Sequence, residues 1–178
     1  MKRIIYFLEF IVIKIFFSIC KLLGYRISSD LGFYIGKTLG SIFRKKTSII
    51  RNLKKSKISI DISDNKFAKN VLGNYGRILA EYPFLKDFRY NKLSDYVEID
   101  GIDNLEKIKK KNKPAVFISG HFNNFELMAM QIEKSGINLA AIYRPLNNMF
   151  LNKDMEHIRK NYICKNQIKK GRSGTRQI

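Results

Sequence analysis

From Ile4 to Leu23 the chain is almost continuously apolar: Ile-Ile-Tyr-Phe-Leu-Glu-Phe-Ile-Val-Ile-Lys-Ile-Phe-Phe-Ser-Ile-Cys-Lys-Leu-Leu. As a helix, this run is long enough to cross the roughly 30 Å of hydrocarbon in a bilayer. Glu9 and Lys14 interrupt it, and Lys14, Ser18 and Lys21 fall at i, i+4 and i+7, on one polar stripe. That stripe suits a tilted or interfacial anchor, or a helix with one face docked on its own domain, as well as a simple span. A cleaved signal peptide fits less well, because no small-residue cleavage site follows. A buried core helix is the competing reading. Residues 1–27 are therefore read as a membrane-anchoring helix.

The next stretch keeps a helical period. Ser28-Ser29-Asp30 is a good N-cap cluster, and Gly32, Gly36 and Gly40 recur every fourth residue behind it. That spacing lines one helix face with bare backbone and permits another helix to approach closely. Lys45 to Lys57 predicts a basic helix with Ile49, Ile50 and Leu53 as a narrow apolar stripe. Such a helix suits phosphate headgroups, an acidic partner or plain solvent. Asp61 to Phe84 predicts a further helix, capped near Ser63 and ended by Pro83. Residues 28–94 thus read as a helical, basic region.

From Tyr96 the period changes. Tyr96–Ile99 reads as a short strand, Asn104–Lys111 as a lysine-rich helix, and Ala115–Ser119 as a strand buried on both faces. Asn123–Lys134 is helical, Gly136 closes it, and Asn138–Tyr143 is a second buried strand. Strand, helix, strand at this spacing predicts parallel βαβ units, so residues 95–178 read as an α/β domain.

Composition bears on partners rather than on fold. The 178 residues are 45% hydrophobic and 12% aromatic, which supplies a core and excludes overall disorder. Thirty-four Lys plus Arg against 15 Asp plus Glu leave a net charge of +19. A surface of that sign seeks nucleic acid, acidic lipid or an acidic carrier protein. The charge is scattered rather than set among exposed aromatics as a stacking surface requires, so no nucleic-acid partner is expected. Cys20 and Cys164, far apart in the chain, make neither a disulfide framework nor a zinc set.

The candidate chemistry sits after the 115–119 run, in Gly120-His121-Phe122-Asn123-Asn124-Phe125-Glu126. Ligands bind at the carboxyl ends of strands in open α/β sheets, and a Gly before the His lets a substrate approach the backbone. A loop histidine and a carboxylate five residues on can meet across the turn. The carboxylate then holds the imidazole in one tautomer and stabilises the imidazolium that forms when it takes a proton. No Ser or Cys nucleophile stands beside the pair, which suggests that the substrate brings its own hydroxyl.

Ser-Gly-His-Phe-Asn-Asn-Phe-Glu, then Tyr143-Arg144-Pro145-Leu146-Asn147-Asn148, then Lys170-Gly171-Arg172-Ser173-Gly174-Thr175-Arg176, together resemble the lysophospholipid acyltransferase superfamily. More specifically, they resemble the lipid A biosynthesis late acyltransferases of the lauroyl/myristoyl type. The resemblance runs the length of the chain and implies an N-terminal membrane helix and a basic helical region leading into a βαβ acyltransferase domain. It implies transfer of a fatty acyl group from acyl carrier protein to a hydroxyl of a lipid A precursor, at the cytoplasmic face of the bacterial inner membrane. No metal and no cofactor beyond the acyl-carrier donor are expected.

Under this resemblance His121 is the general base and Glu126 orients it. Arg159 matches the arginine that stabilises the oxyanion, although it equally suits a solvated helix charge. Arg144 follows the second strand, where it suits a phosphate or carboxyl group. Asn147 and Asn148 shape that loop or touch substrate, and Arg172 belongs to a glycine-rich segment, Gly171–Thr175, suited to a phosphate. The expected partners are acyl carrier protein, a lipid A precursor and an anionic membrane. The family continues beyond the position of Ile178, so the resemblance implies a C-terminally truncated fragment. Two rivals stand beside this expectation: acylation of another glycolipid or lysophospholipid, and a basic membrane-tethered binding protein without catalysis.

Overall fold

The computed structural model describes residues 1–177; Ile178, at the end of the expected α/β domain, and the side chains of Ser173 and Thr175 lie outside the described part. The chain divides into two compact units, Met1–Lys14 with Phe84–Ile178, and Ile15–Pro83. The long first helix, α1 (Lys2–Leu23), contributes its two halves to different units.

In the Ile15–Pro83 unit, α1 is followed by α2 (Tyr25–Phe43), α3 (Lys46–Ser56) and α4 (Asp64–Glu81). The helix expected to start at Ser28-Ser29-Asp30 begins earlier, because Gly24 turns the chain at φ 79°, a conformation that side chains disfavour. The two serines lie buried inside α2 instead of capping it. Ser28 Oγ donates to the Cys20 carbonyl at 2.8 Å and Ser29 Oγ to the buried Glu81 carboxylate at 2.7 Å.

The glycine spacing does what it predicts. Gly32 and Gly36 of α2 lie against α4 so closely that a β-carbon on Gly76 would meet the Gly32 carbonyl oxygen and, at 2.8 Å, the Gly36 α-carbon. Ser63 caps α4, accepting from the Lys66 N–H at 3.4 Å, and Pro83 sits in the 3-10 turn Tyr82–Phe84 that ends it. From the basic helix, Ile49 of α3 is buried with Ala68 and Leu72 of α4, while Arg51, Lys54 and Lys55 stay exposed.

The other unit holds α5 (Leu85–Arg89), α6 (Ile102–Lys111), α7 (Glu126–Lys134), β1 (Ala140–Tyr143), α8 (Met149–Ile158), β2 (Asn166–Lys169) and the short α9 (Arg172–Thr175). A π turn, Arg159–Ile163, continues α8. Leu85 and Phe88 of α5, Met130 of α7 and Ile163 of the π turn are fully buried where these three elements meet. β1 and β2 pair in parallel, from Ala140 opposite Asn166 to Tyr143 opposite Lys169. The fold is therefore mostly helical with a two-stranded parallel sheet, compatible with the α/β expectation.

The βαβ unit is not the expected one. It runs β1–α8–β2, whereas 115–119 is irregular chain outside any ladder, with Val116 89% and Ile118 93% exposed. Tyr96–Ile99 likewise forms no strand; a 3-10 turn, Ser94–Tyr96, enters it. A strand exists through its ladder and its cross-strand side-chain pairs, and the described residues give these two segments no partner strand. β1 itself is only half-buried, with Ile142 63% exposed.

The charges inside α1 also find a reason. Glu9 accepts from Asn148 Nδ2 at 2.9 Å, Lys14 pairs with Asp154 at 2.9 Å, and the Phe7 and Phe10 rings pack on Phe150. Of the readings open for this helix, docking one face on its own domain is what its first half does. Among the described residues no helix is long and apolar enough to cross a membrane, which disfavours the simple span among those readings. α1 has the length, and Glu9, Lys14 and Lys21 deny it the apolarity.

Candidate active site

The loop before α7 makes a tight reversal. Asn123 takes a left-handed φ of 43°, which asparagine tolerates better than most side chains. Phe125 N–H then donates to the Asn123 carbonyl at 3.0 Å and Leu127 N–H to the Asn124 carbonyl at 3.1 Å. The reversal leaves His121 exposed, with its ring centroid 4.3 Å from that of Phe125. The Phe122 ring occupies the space a β-carbon on Gly120 would take.

Glu126 opens α7 and is buried at 5% exposure, where the helix N-terminus favours a negative charge. Its Oε1 accepts from Arg159 Nε at 2.9 Å and also from Arg159 Nη2. Two donors of one guanidinium on a single carboxylate oxygen, with the arginine side chain only 16% exposed, make a dry ion pair. Arg159 stands at the head of the π turn, where the Cys164 N–H reaches back five residues to the Arg159 carbonyl at 3.1 Å. Single-turn π segments of this kind are frequent at functional sites.

Arg159 also lies over the Tyr143 ring, its guanidinium carbon 5.6 Å from the centroid. The Tyr143 hydroxyl donates to Glu156 Oε1 at 2.7 Å, and the same oxygen accepts from Asn152 Nδ2 and Lys169 Nζ, each at 2.9 Å. These donors, Tyr143 foremost and then Lys169, hold the Glu156 carboxyl down at about 2. Burial first, and then the bond to Glu156, pushes the Tyr143 hydroxyl up to about 12.

Of the expected site residues, the fold brings Glu126 and Arg159 together across 33 positions. It sets His121 against Phe125, one residue before Glu126 in the chain. Asn148 proves to be a cap: its Oδ1 accepts from the Phe150 and Leu151 N–H groups at 3.0 and 3.2 Å, and its Nδ2 also donates to the Tyr6 carbonyl at 2.8 Å. Arg144 and Asn147 are exposed between β1 and α8, and Arg172 is exposed at the start of α9. Tyr143, Asn152, Glu156 and Lys169 were not singled out by sequence reasoning. Tyr143 opens the Tyr-Arg-Pro motif, which is the one signal that pointed its way; Lys169 is reached only through the β1–β2 register.

No curated protein and no solved structure matches the chain significantly. The profile of one family does match, over residues 1–169, and with it the chain is placed among acyltransferases of lipid A biosynthesis. That match spans the His121 loop, the Glu126–Arg159 pair and the paired strands alike, so the chain belongs to the bacterial lipid A biosynthesis acyltransferase family.

Proposed function

We propose that this acyltransferase moves a fatty acyl group from acyl carrier protein to a hydroxyl of a lipid A precursor, with His121 as general base and Glu126 as its orienting carboxylate. The observation that carries the reading is an exposed imidazole five residues before a buried carboxylate that is itself held by an arginine. His121 accepts the acceptor's hydroxyl proton as the oxygen attacks the thioester carbonyl carbon. The tetrahedral oxyanion collapses, the carbon–sulfur bond breaks, and the imidazolium returns the proton to the thiolate. For Glu126 to orient the base, the His121 ring turns from Phe125 toward the start of α7. Arg159 serves the oxyanion, which then competes with Glu126 for the guanidinium. The reaction as written needs no metal and no cofactor beyond the acyl-carrier thioester.

Two surfaces support the partners. Ile4, Leu8, Val12, Ile15, Ile19 and Leu22 form one exposed apolar stripe on α1, as befits a helix lying in the interface of an anionic inner membrane with the catalytic part cytoplasmic. On α3, Thr47, Ile50, Arg51, Lys54 and Lys55 line a shallow basic depression that suits an acidic carrier protein. The test is acyl transfer from acyl carrier protein to a lipid A precursor, read by mass. The intact protein is expected to add one acyl chain, and His121→Ala to lower the rate by about 10²-fold or more. An unchanged rate in His121→Ala would end its assignment as the base.

A further inference from the structure

The ends of the two strands carry a polar cluster that the reaction above does not use. Tyr143 closes β1 and Lys169 closes β2, and the two are register partners. α8, which connects the strands, delivers Glu156 between them, so one carboxylate oxygen takes the Tyr143 hydroxyl at 2.7 Å and the Lys169 ammonium at 2.9 Å. Asn152, one turn earlier on α8, adds a third donor at 2.9 Å. This clasp is local in sequence only on α8; it ties both strand ends to the helical turn that precedes the π turn.

Tyr143 faces two ways. Its hydroxyl is held by Glu156, and its ring lies under the guanidinium of Arg159 at 5.6 Å. Tyr143 is buried, so the ring has little room to rotate once the hydroxyl is anchored. A ring fixed in this way is a platform: it sets the plane on which a guanidinium can stack while its N–H groups point at a carboxylate. Arg159 needs such a support, because it stands where α8 gives way to the π turn and its long side chain retains several rotamers.

We propose that Tyr143 and Glu156 are positioning residues of the acyl-transfer site: clasped with Lys169, they fix the tyrosine ring as the platform that sets Arg159 against Glu126. This rests on the reading of His121, Glu126 and Arg159 as the reacting site. Neither Tyr143 nor Glu156 touches the reacting atoms; both act through Arg159.

Two readouts on the full chain test it. The first is the Nε–H resonance of Arg159 at neutral pH, identified by its loss in Arg159→Lys. The second is steady-state acyl transfer from acyl carrier protein, resolved into kcat and KM. Tyr143→Leu removes both the hydroxyl and the ring. It is expected to abolish the resonance and to lower kcat by between about tenfold and a hundredfold with KM for the acyl donor unchanged, the scale of lost positioning. Tyr143→Phe keeps the ring and is expected to recover part of both. Glu156→Gln should behave like Tyr143→Phe.

A resonance and a kcat that both survive Tyr143→Leu overturn the proposal, and so does a drop in thermal stability with kcat intact. If Tyr143→Leu fails to fold, Tyr143→Phe and Glu156→Gln decide it by the same two readouts. Full activity in His121→Ala overturns the reading of the site instead, and the resonance then decides the clasp by itself.

Discussion

The dry ion pair between Glu126 and Arg159 makes the sharpest stability prediction. Arg159→Met replaces the guanidinium by an apolar side chain of similar reach and takes two charge-assisted donors away from Glu126, whose side chain is 7% exposed. Breaking a buried pair from one side typically costs about 3–5 kcal/mol, because the remaining charge keeps its desolvation cost and loses its compensation. With a urea dependence of about 2 kcal/mol per molar, the unfolding midpoint is expected to fall by roughly 1.5–2.5 M. Replacing both partners removes the charge as well as its counterion, so Glu126→Gln with Arg159→Met should lie within about 1–2 kcal/mol of the parent. The assay is urea unfolding followed by far-UV circular dichroism on the parent, the two single variants and the double variant. If Arg159→Met shifts the midpoint no further than the double variant does, the pair is not a desolvated one, and the burial argument fails. The double variant is expected to stay inactive even where its stability returns, since the guanidinium and the carboxylate are both gone.

Other outcomes follow from other parts of the molecule. Gly76→Ala places a β-carbon against the Gly32 carbonyl and the Gly36 α-carbon, both backbone. It should therefore destabilise by about 1–3 kcal/mol in thermal unfolding despite alanine's higher helix propensity. Gly40→Ala meets only the Leu72 side chain, at 2.9 Å at the nearest, and should cost less; equal midpoints for the two variants would refute the close-approach account. Asn148→Ala loses the α8 cap and the bonds to Tyr6 and Glu9, and an unfolding loss of about 1–2 kcal/mol is expected from the cap alone. Glu156 is depressed in the folded state, so its stabilisation is full above the ordinary carboxylate range and fades as pH falls from about 4.5 toward about 2. Glu156→Gln should flatten that limb of the stability–pH curve, and an unaltered limb would show that the clasp does not hold the carboxylate ionised. Burial raises the thiols of Cys20 and Cys164, both free, so each should react slowly with a disulfide reagent at neutral pH until urea exposes it.

Local signals in the sequence carried much of the helical half of this protein. The glycines at 32, 36 and 40 forecast the close α2–α4 contact, because a missing β-carbon acts at short range whatever surrounds it. Ser63 and Pro83 marked the ends of α4 for the same kind of reason: a cap and a missing N–H are properties of a few adjacent residues. The family could be read from the His121 and Tyr143 motifs, and the family profile, which matches residues 1–169, bears the family out; the Lys170–Arg176 motif lies beyond that match.

What the sequence by itself could not decide depended on partners distant in the chain. The apolar run at 115–119 looked like a buried strand, yet strand formation requires a neighbour's ladder, and β1 takes β2 as its partner instead. Ser28 and Ser29 looked like caps, and the turn at Gly24 drew them into the helix to bind the Cys20 carbonyl and Glu81. Glu9 and Lys14 looked like flaws in an apolar helix until Asn148 and Asp154, well over a hundred residues away, supplied their partners. The site shows the same division. His121 and Glu126 were legible as a spacing, but the arginine that holds Glu126, and the tyrosine and glutamate beneath that arginine, meet only when α7, α8 and the two strand ends are folded together. Electrostatic pairs gain their strength from burial, and burial is a property of the tertiary structure alone.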